Sequence, residues 1–212
     1  MLNIEVGVLD LRPTQFAVGM REVSRKAEKF KKLDKKELEK LLESRPVPIV
    51  QSREGTSFIV DRHHFTRAAW EAGIEKVCVE VKADFSHLGE NEFWEAMQKC
   101  RFVHLYDQFG AGPHPNSALP DNIRGLADDP YRSLAWSVRR AGGYAKTDQP
   151  FSDFYWADHF RKRVTIGRGE AAFKTAVAEA LKLAESETEF KAALGQTLKT
   201  AQTQKGPGPA KA

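Results

Sequence analysis

The sequence predicts an α+β protein: a small mixed β-sheet with helices packed on it, followed by a mostly α-helical C-terminal extension. Three observations carry this. Apolar side chains alternate over Ile4–Leu11 and Val77–Val81, and short β-prone runs occur at Val47–Val50 and Ser57–Val60. Helical stripes separate these runs. Beyond Asp129 the apolar spacing changes to the helical period and stays there.

Taken in order, Ile4–Leu11 reads as a strand that Arg12-Pro13-Thr14-Gln15 ends, because proline lacks the ladder donor. Gly19 marks a turn, and a helix follows from about Arg21 to Phe30. A second helix starts after the N-cap residue Asp34, with Leu38, Leu41 and Leu42 on one face. Val47–Val50 and Ser57–Val60, joined by the Arg53–Thr56 turn, form a hairpin. A helix opens at His63-His64, continues through Arg67 to Ala72 and stops at Gly73. Asn91–Cys100 is amphipathic, with Phe93, Met97 and Cys100 in phase. The stretch Gln108–Pro120 holds two Gly and three Pro and is loop. Asp129-Pro130 opens a helix with the stripe Tyr131, Leu134, Ala135, Val138. Further helices are expected over Ser152–Arg161, then from Arg168 through Phe173, Val177, Ala180 and Leu181, with Ser186–Leu194 as a continuation. The expected organisation is a first domain over 1–105, a loop and helical extension over 106–203 packed on it, and a disordered tail over 204–212, where Gly-Pro-Gly-Pro replaces apolar residues.

The 212 residues and net charge of +4 suit one ordinary globular core. Cys78 and Cys100 lack Cys-x-x-Cys spacing and read as reduced core residues. The N-terminus has no signal-like apolar run and nothing in the chain is long enough to span a bilayer, so a cytoplasmic location is expected, with no membrane partner. Arg21–Arg45 carries ten Lys or Arg against six Asp or Glu. Such a segment can meet nucleic acid, or can be a solvated helix face.

The functional candidate is Asp61-Arg62-His63-His64-Phe65-Thr66-Arg67, where a strand hands over to a helix. The first helical turn leaves N–H groups without partners and carries partial positive charge, which suits an anion. His64 and Arg67 share a helix face and could complete a phosphate cradle. Equally, Asp61 could cap the helix while the histidines pack locally. The order strand, Leu-Arg-Pro-Thr-Gln turn, helices, Val-Pro-Ile-Val strand, hairpin and Ile-Val-Asp-Arg-His-His resembles the ParB/sulfiredoxin-like superfamily, and within it the ParB-like nuclease family. Relatives often read Asp-Gly-His-His-Arg here: Asp61, His63 and His64 match, Arg62 stands in place of Gly and Phe65 in place of Arg.

The resemblance implies a protein that binds a nucleotide or a nucleic-acid phosphate at this motif, as a nuclease or a nucleotide phosphohydrolase or phosphotransferase. Asp61, His63 and His64 are then the catalytic candidates, and Arg62, His64, Thr66, Arg67, Arg12 and Gln15 the phosphate-binding ones. Mg²⁺ and a nucleotide are the cofactors such chemistry would use, and Asp10, Asp61, Glu80 and Asp84 lie near strand ends where a metal could be held. The alternative is a non-enzymatic nucleic-acid or partner-binding protein using its basic helices. His104, Asp107 and His114 lack zinc-motif spacing and read as loop-positioning residues. Phe151, Phe154, Tyr155, Trp156 and Phe160 read as a core or as a docking surface against the first domain, rather than as a base-stacking surface.

Overall fold

In a computed structural model, the structure describes residues 4–147, 150–187, 190–192 and 194. The expected tail over 204–212 lies outside the described residues. The chain divides into two compact units, residues 1–133 and 134–212.

The first unit is built on a five-stranded mixed sheet in the order β1-β6-β4-β5-β2. Its strands are β1 (Ile4–Gly7), β2 (Leu11–Pro13), β4 (Val47–Gln51), β5 (Ser57–Ile59) and β6 (Lys76–Asp84). The β4–β5 hairpin forms as the turn residues require, with Ile49 opposite Ile59. β1 runs antiparallel to β6, whereas β2–β5 and β4–β6 are parallel. The single strand expected over Ile4–Leu11 is broken. A 3₁₀ turn at Val8–Asp10 carries the chain from one edge of the sheet to the other. Pro13 is the last residue of β2, so the strand ends within the Arg12-Pro13-Thr14-Gln15 stretch as expected, and on an edge strand its missing N–H costs no ladder bond.

Helices α1 (Met20–Phe30), α2 (Lys35–Ser44) and α3 (His63–Glu71) supply the apolar faces that cover the sheet. Val23, Ala27 and Phe30 of α1 meet Phe65, Ala68 and Ala69 of α3 in one buried cluster with Val8, Leu11, Val47, Ile49 and Ile59. The Phe30 and Phe65 rings meet edge to face, 5.2 Å apart. α2 starts at a capping box, in which Asp34 and Glu37 each accept from the other's backbone N–H. A second cluster joins Val50 and Phe58 to Phe93 and Met97 of α4 (Glu90–Lys99). Cys78 is buried, but Cys100 is exposed. It follows the last helical residue, so being in phase with Phe93 and Met97 does not bury it.

One pairing has no signature in the sequence. β3 (Ala17–Val18) runs parallel to β7 (Ala127–Asp128), bringing the chain after the long loop back to the start of α1. α5 (Pro130–Arg140) follows immediately, with Asp129 accepting from the Tyr131 N–H as its cap.

The second unit contains α6 (Ser152–Arg161) and α7 (Gly169–Ser186), close to the expected helices. Its core includes Trp156 and Phe160, with Trp156 stacked on Tyr144 at 4.3 Å. On α7, Phe173, Ala176, Ala180 and Ala184 form the buried stripe. Of the aromatic group, Phe154, Trp156 and Phe160 are buried as expected, while Tyr155 is exposed. No described helix is long and apolar enough to cross a membrane.

Candidate functional site at the start of α3

The strand-to-helix motif begins with Asp61, whose carboxylate accepts from the Arg62 N–H at 2.6 Å. Arg62 then takes left-handed backbone angles (φ 65°, ψ 25°) and α3 begins with no side-chain cap. A glycine would adopt this conformation without a Cβ clash, which accounts for the glycine that similar motifs carry. Here the arginine turns its guanidinium back to donate to the Pro46 carbonyl.

The two histidines diverge because consecutive helical residues point about 100° apart. His63 is buried, and its Nε2 accepts from the Thr14 N–H at 3.1 Å. The Thr14 hydroxyl donates to the Ile59 carbonyl at 2.6 Å, and the Thr14 carbonyl accepts from the His104 N–H at 2.9 Å. Burial above all, together with the nearby His64 and Arg132 charges, brings the His63 pKa down from 6.5 to about 3. The ring is therefore neutral and acts as an acceptor. His104 is likewise held down to about 3, by burial and by Arg132.

His64 faces α1. Its Nε2 accepts from the Gly19 N–H at 3.0 Å and lies 3.6 Å from Oε2 of Glu22. The other oxygen of Glu22 is held by Lys26, one turn along α1. Burial pushes the Glu22 carboxyl upward, but His64, Lys26 and Arg132 outweigh it and hold the group below the usual carboxylate range. Glu22 is thus an anion in a buried setting where its cations keep it charged. The start of α5 closes this neighbourhood. Met20 N–H donates to Asp128 and Arg21 N–H to Ser133, so α1 receives its caps from far along the chain. A Cβ on Gly19 would lie 2.8 Å from the Ser133 nitrogen, so only glycine allows this approach.

The other expected phosphate ligands are engaged elsewhere. Arg67, read as the arm of the cradle, is only 12% exposed. Its Nε donates to Glu71 at 2.9 Å, and Nη1 lies within 3.2, 3.3 and 2.9 Å of the carbonyls of Ile123, Arg124 and Leu126. The guanidinium also lies over the Trp70 ring at 5.0 Å. Thr66 is fully buried and donates to the Arg62 carbonyl. Gln15 is buried and donates to the Ala17 carbonyl. Arg12 lies over the Phe58 ring and pairs with Asp121 at 3.4 Å. The structure therefore gathers Thr14, His63 and His64 with Glu22, Lys26 and Arg132, and turns Arg67, Thr66 and Gln15 to other bonds. Glu22 and Lys26 were missed because an i, i+4 pair on a charged helix looks like a solvated face. Arg132 was missed because it lies between the apolar positions of its helix.

Asp10, Asp61, Glu80 and Asp84 were the carboxylates expected near a metal. No group of three or more His, Cys, Asp or Glu able to hold a metal ion occurs among the described residues. In the long loop, Asp107 accepts from the N–H groups of Phe109 and Ala111 and contacts His114 at 3.1 Å, the positioning role expected of it.

Two outcomes follow. Arg67→Ala strands Glu71 and a set of turn carbonyls, so it should lower stability by about 2–4 kcal/mol in urea unfolding, with Arg67→Lys recovering only part because it lacks the planar fork. An unchanged midpoint would show that the arginine is not a structural tie. For His63, the folded pKa of about 3 lies below the ordinary 6.5, so the unfolded chain takes up the proton first as pH falls. Stability from this group is full above pH 6.5 and declines toward pH 3, by about 1.4 kcal/mol per pH unit. His63→Gln, whose amide oxygen can still accept from Thr14 but does not titrate, should show a shallower stability profile between pH 6 and 4, on the order of one proton less. Parallel profiles would mean that His63 titrates normally in the folded protein.

Comparison with known proteins agrees with this architecture. Residues 4–162 match the family model described as "Putative ParB-like nuclease". Among solved structures, protein Atu1540 from Agrobacterium tumefaciens is similar at 38% identity and a TM-score of 0.80, over 87% of this chain and 91% of that one. No curated protein matches the chain. With the sheet order, the Asp61–His64 handover and a match over most of its length, the chain belongs to the ParB-like nuclease family.

Proposed function

We propose that this protein binds and turns over a phosphate ester, in a nucleotide or a nucleic acid, at the cluster of His64, Glu22, Lys26 and Arg132. The observation that carries the reading is the placement of His64 Nε2 between the Gly19 N–H and the Glu22 carboxylate, 3.0 and 3.6 Å away. One nitrogen cannot serve both partners in the same way. Neutral, it accepts from Gly19; protonated, it would pair with the Glu22 carboxylate. A ring nitrogen with a partner for either state suits a group that takes a proton and gives it back in general acid–base catalysis.

Glu22 contributes one negative charge and Lys26 and Arg132 two positive ones, with the Asp128 carboxylate, which caps α1, beside them; the two cations are the groups a phosphate would meet. A phosphate drawn to Lys26 would loosen its pair with Glu22 and leave that carboxylate free to receive the histidine proton. His63 is a positioning residue in this reading, holding the start of α3 on Thr14. Asp61, bonded to the Arg62 N–H, shapes the entry to the helix.

His64→Gln should lower kcat by roughly 10²–10⁴-fold, the usual range for removing an acid–base group, with KM little changed. The assay is release of phosphate or cleaved strand from nucleoside triphosphates, pyrophosphate and oligonucleotides. A nucleotide supplied at about a hundred times its Kd should add roughly 2.7 kcal/mol to stability in thermal unfolding. If none of these compounds shifts Tm or is turned over, the reading fails.

A second reading, binding of nucleic acid without turnover, is favoured by one stretch. Arg25, Lys29, Lys31, Lys32, Lys35 and Lys36 are all exposed, with Glu28 and Asp34 as the acidic residues between them. If about six phosphates are neutralised there, affinity should fall roughly a thousandfold between 50 and 200 mM salt. A flat salt profile would remove this surface from consideration.

A further inference from the structure

An open cleft of about 570 Å³ lies away from the His64 cluster, between the turn after β2 and the long loop. Phe16, Ala118, Pro120 and Ala127 give it apolar walls, and the exposed Asp121 and Arg124 line it with opposite charges. Gln108 of the long loop also lines it. The next residue, Phe109, is 72% exposed, more than any other large apolar side chain described. The first unit thus carries a projecting ring and an apolar hollow side by side.

Short-range bonds hold both in place. Asp107 Oδ1 accepts from the N–H groups of Phe109 and Ala111 at 2.9 and 3.0 Å. The Asp107 N–H donates to the Ala111 carbonyl at 2.9 Å, and its carbonyl accepts from the Gly110 N–H at 3.1 Å. The other carboxylate oxygen contacts His114 Nε2 at 3.1 Å, and the His114 N–H donates to the Leu105 carbonyl at 2.8 Å. A Cβ on Gly112 would lie 2.5 Å from that same carbonyl, so the loop closes this tightly only with glycine there. On the far side of the cleft, Arg67 ties down the carbonyls of Ile123, Arg124 and Leu126. A ring presented on a turn already ordered loses little entropy when a second surface covers it, which is the property of an anchor at an interface.

We propose that a second copy of this chain occupies the cleft: two copies pair about a two-fold axis, and each inserts Phe109 into the cleft of the other. Two observations select a second copy. Ring and hollow are neighbours on one face, and a two-fold interface requires that a single patch contain both halves of the contact. The charges are also self-complementary, because the rotation that seats the rings brings Arg124 of each copy toward Asp121 of the other; an occupant of one sign would be repelled by one of the two. Asp121 pairs with Arg12 of its own chain at 3.4 Å, but its side chain is 93% exposed and stays open to a second cation. Each ring buries about 150–250 Å². Two rings with their rims lie at the low end of interface sizes, so the dimer is one that dissociates on dilution. It does not depend on turnover at the His64 cluster.

The test is sedimentation equilibrium of the full-length chain over a range of concentrations, with thermal unfolding at dilute concentration as the check on folding. The chain should pass from monomer to dimer as concentration rises. Phe109→Ala removes the ring, and Ala118→Trp, at an exposed position of the cleft, fills the hollow. Each should weaken the dimer by roughly thirtyfold or more at unchanged Tm, as expected for losing an anchor ring. Mixed together, the two variants should associate more tightly than either alone, because the ring of one meets the open cleft of the other. Asp121→Arg should also weaken the dimer, and adding Arg124→Asp should restore it, since the exchange re-forms both pairs. A chain that stays monomeric at every concentration leaves the cleft to a different occupant and overturns the proposal. So does a dimer that Phe109→Ala leaves intact, a mixture no tighter than its components, or a charge exchange that restores nothing.

Discussion

The hydrogen bond from the Thr14 N–H to the neutral His63 ring joins the end of an edge strand to the first residue of α3. Thr14 has its N–H, hydroxyl and carbonyl engaged by His63, Ile59 and His104, three separate stretches of chain. All lie in a buried setting, where an unsatisfied partner would cost more than the bond itself contributes. Moving α3 along its axis would break the His63 contact, so the helix start is held at one height relative to β2 and β5. That height brings the next residue, His64, level with Gly19.

Adjacent histidines thereby acquire different chemistry from one backbone. His63, desolvated and bonded to a backbone donor, has no easy route to a charged state. His64, with a carboxylate beside it, has a partner for either state. The arrangement resembles the general strategy of setting two identical side chains apart by environment. His63 thus bears the packing at the start of α3, while His64 turns toward α1.

Local features were the legible ones. The hairpin at Val47–Ile59, the Asp34–Glu37 capping box and the Asp129-Pro130 helix start all rest on residues a few positions apart, and short-range chemistry determines them. The handover at Asp61–His64 was legible for the same reason. What escaped notice was bonding at long range. Nothing near Arg67 in the sequence announces that its guanidinium meets carbonyls more than fifty residues away. Glu22 and Lys26 look like any helical ion pair until Gly19 and His64 are placed beside them. The broken first strand escaped because a 3₁₀ turn of three residues preserves apolar character while changing direction.

The Met20 N–H and the Asp128 carboxylate that caps it are 108 residues apart, and Arg132 and Ser133 lie farther along still. The cluster on α1 and α3 is therefore completed by chain that a ribosome delivers long after both helices have emerged. Until then α1 lacks two of its caps, Arg67 lacks its carbonyls and Glu22 lacks one of its cations. Long-range closure of this kind is slow compared with helix formation. The nascent chain would thus pass through an interval in which the motif exists as a helix but the charge arrangement around His64 does not. Assembly of this cluster is a late event of synthesis, and a chain released early would carry the family motif without the distant residues that surround it in the fold.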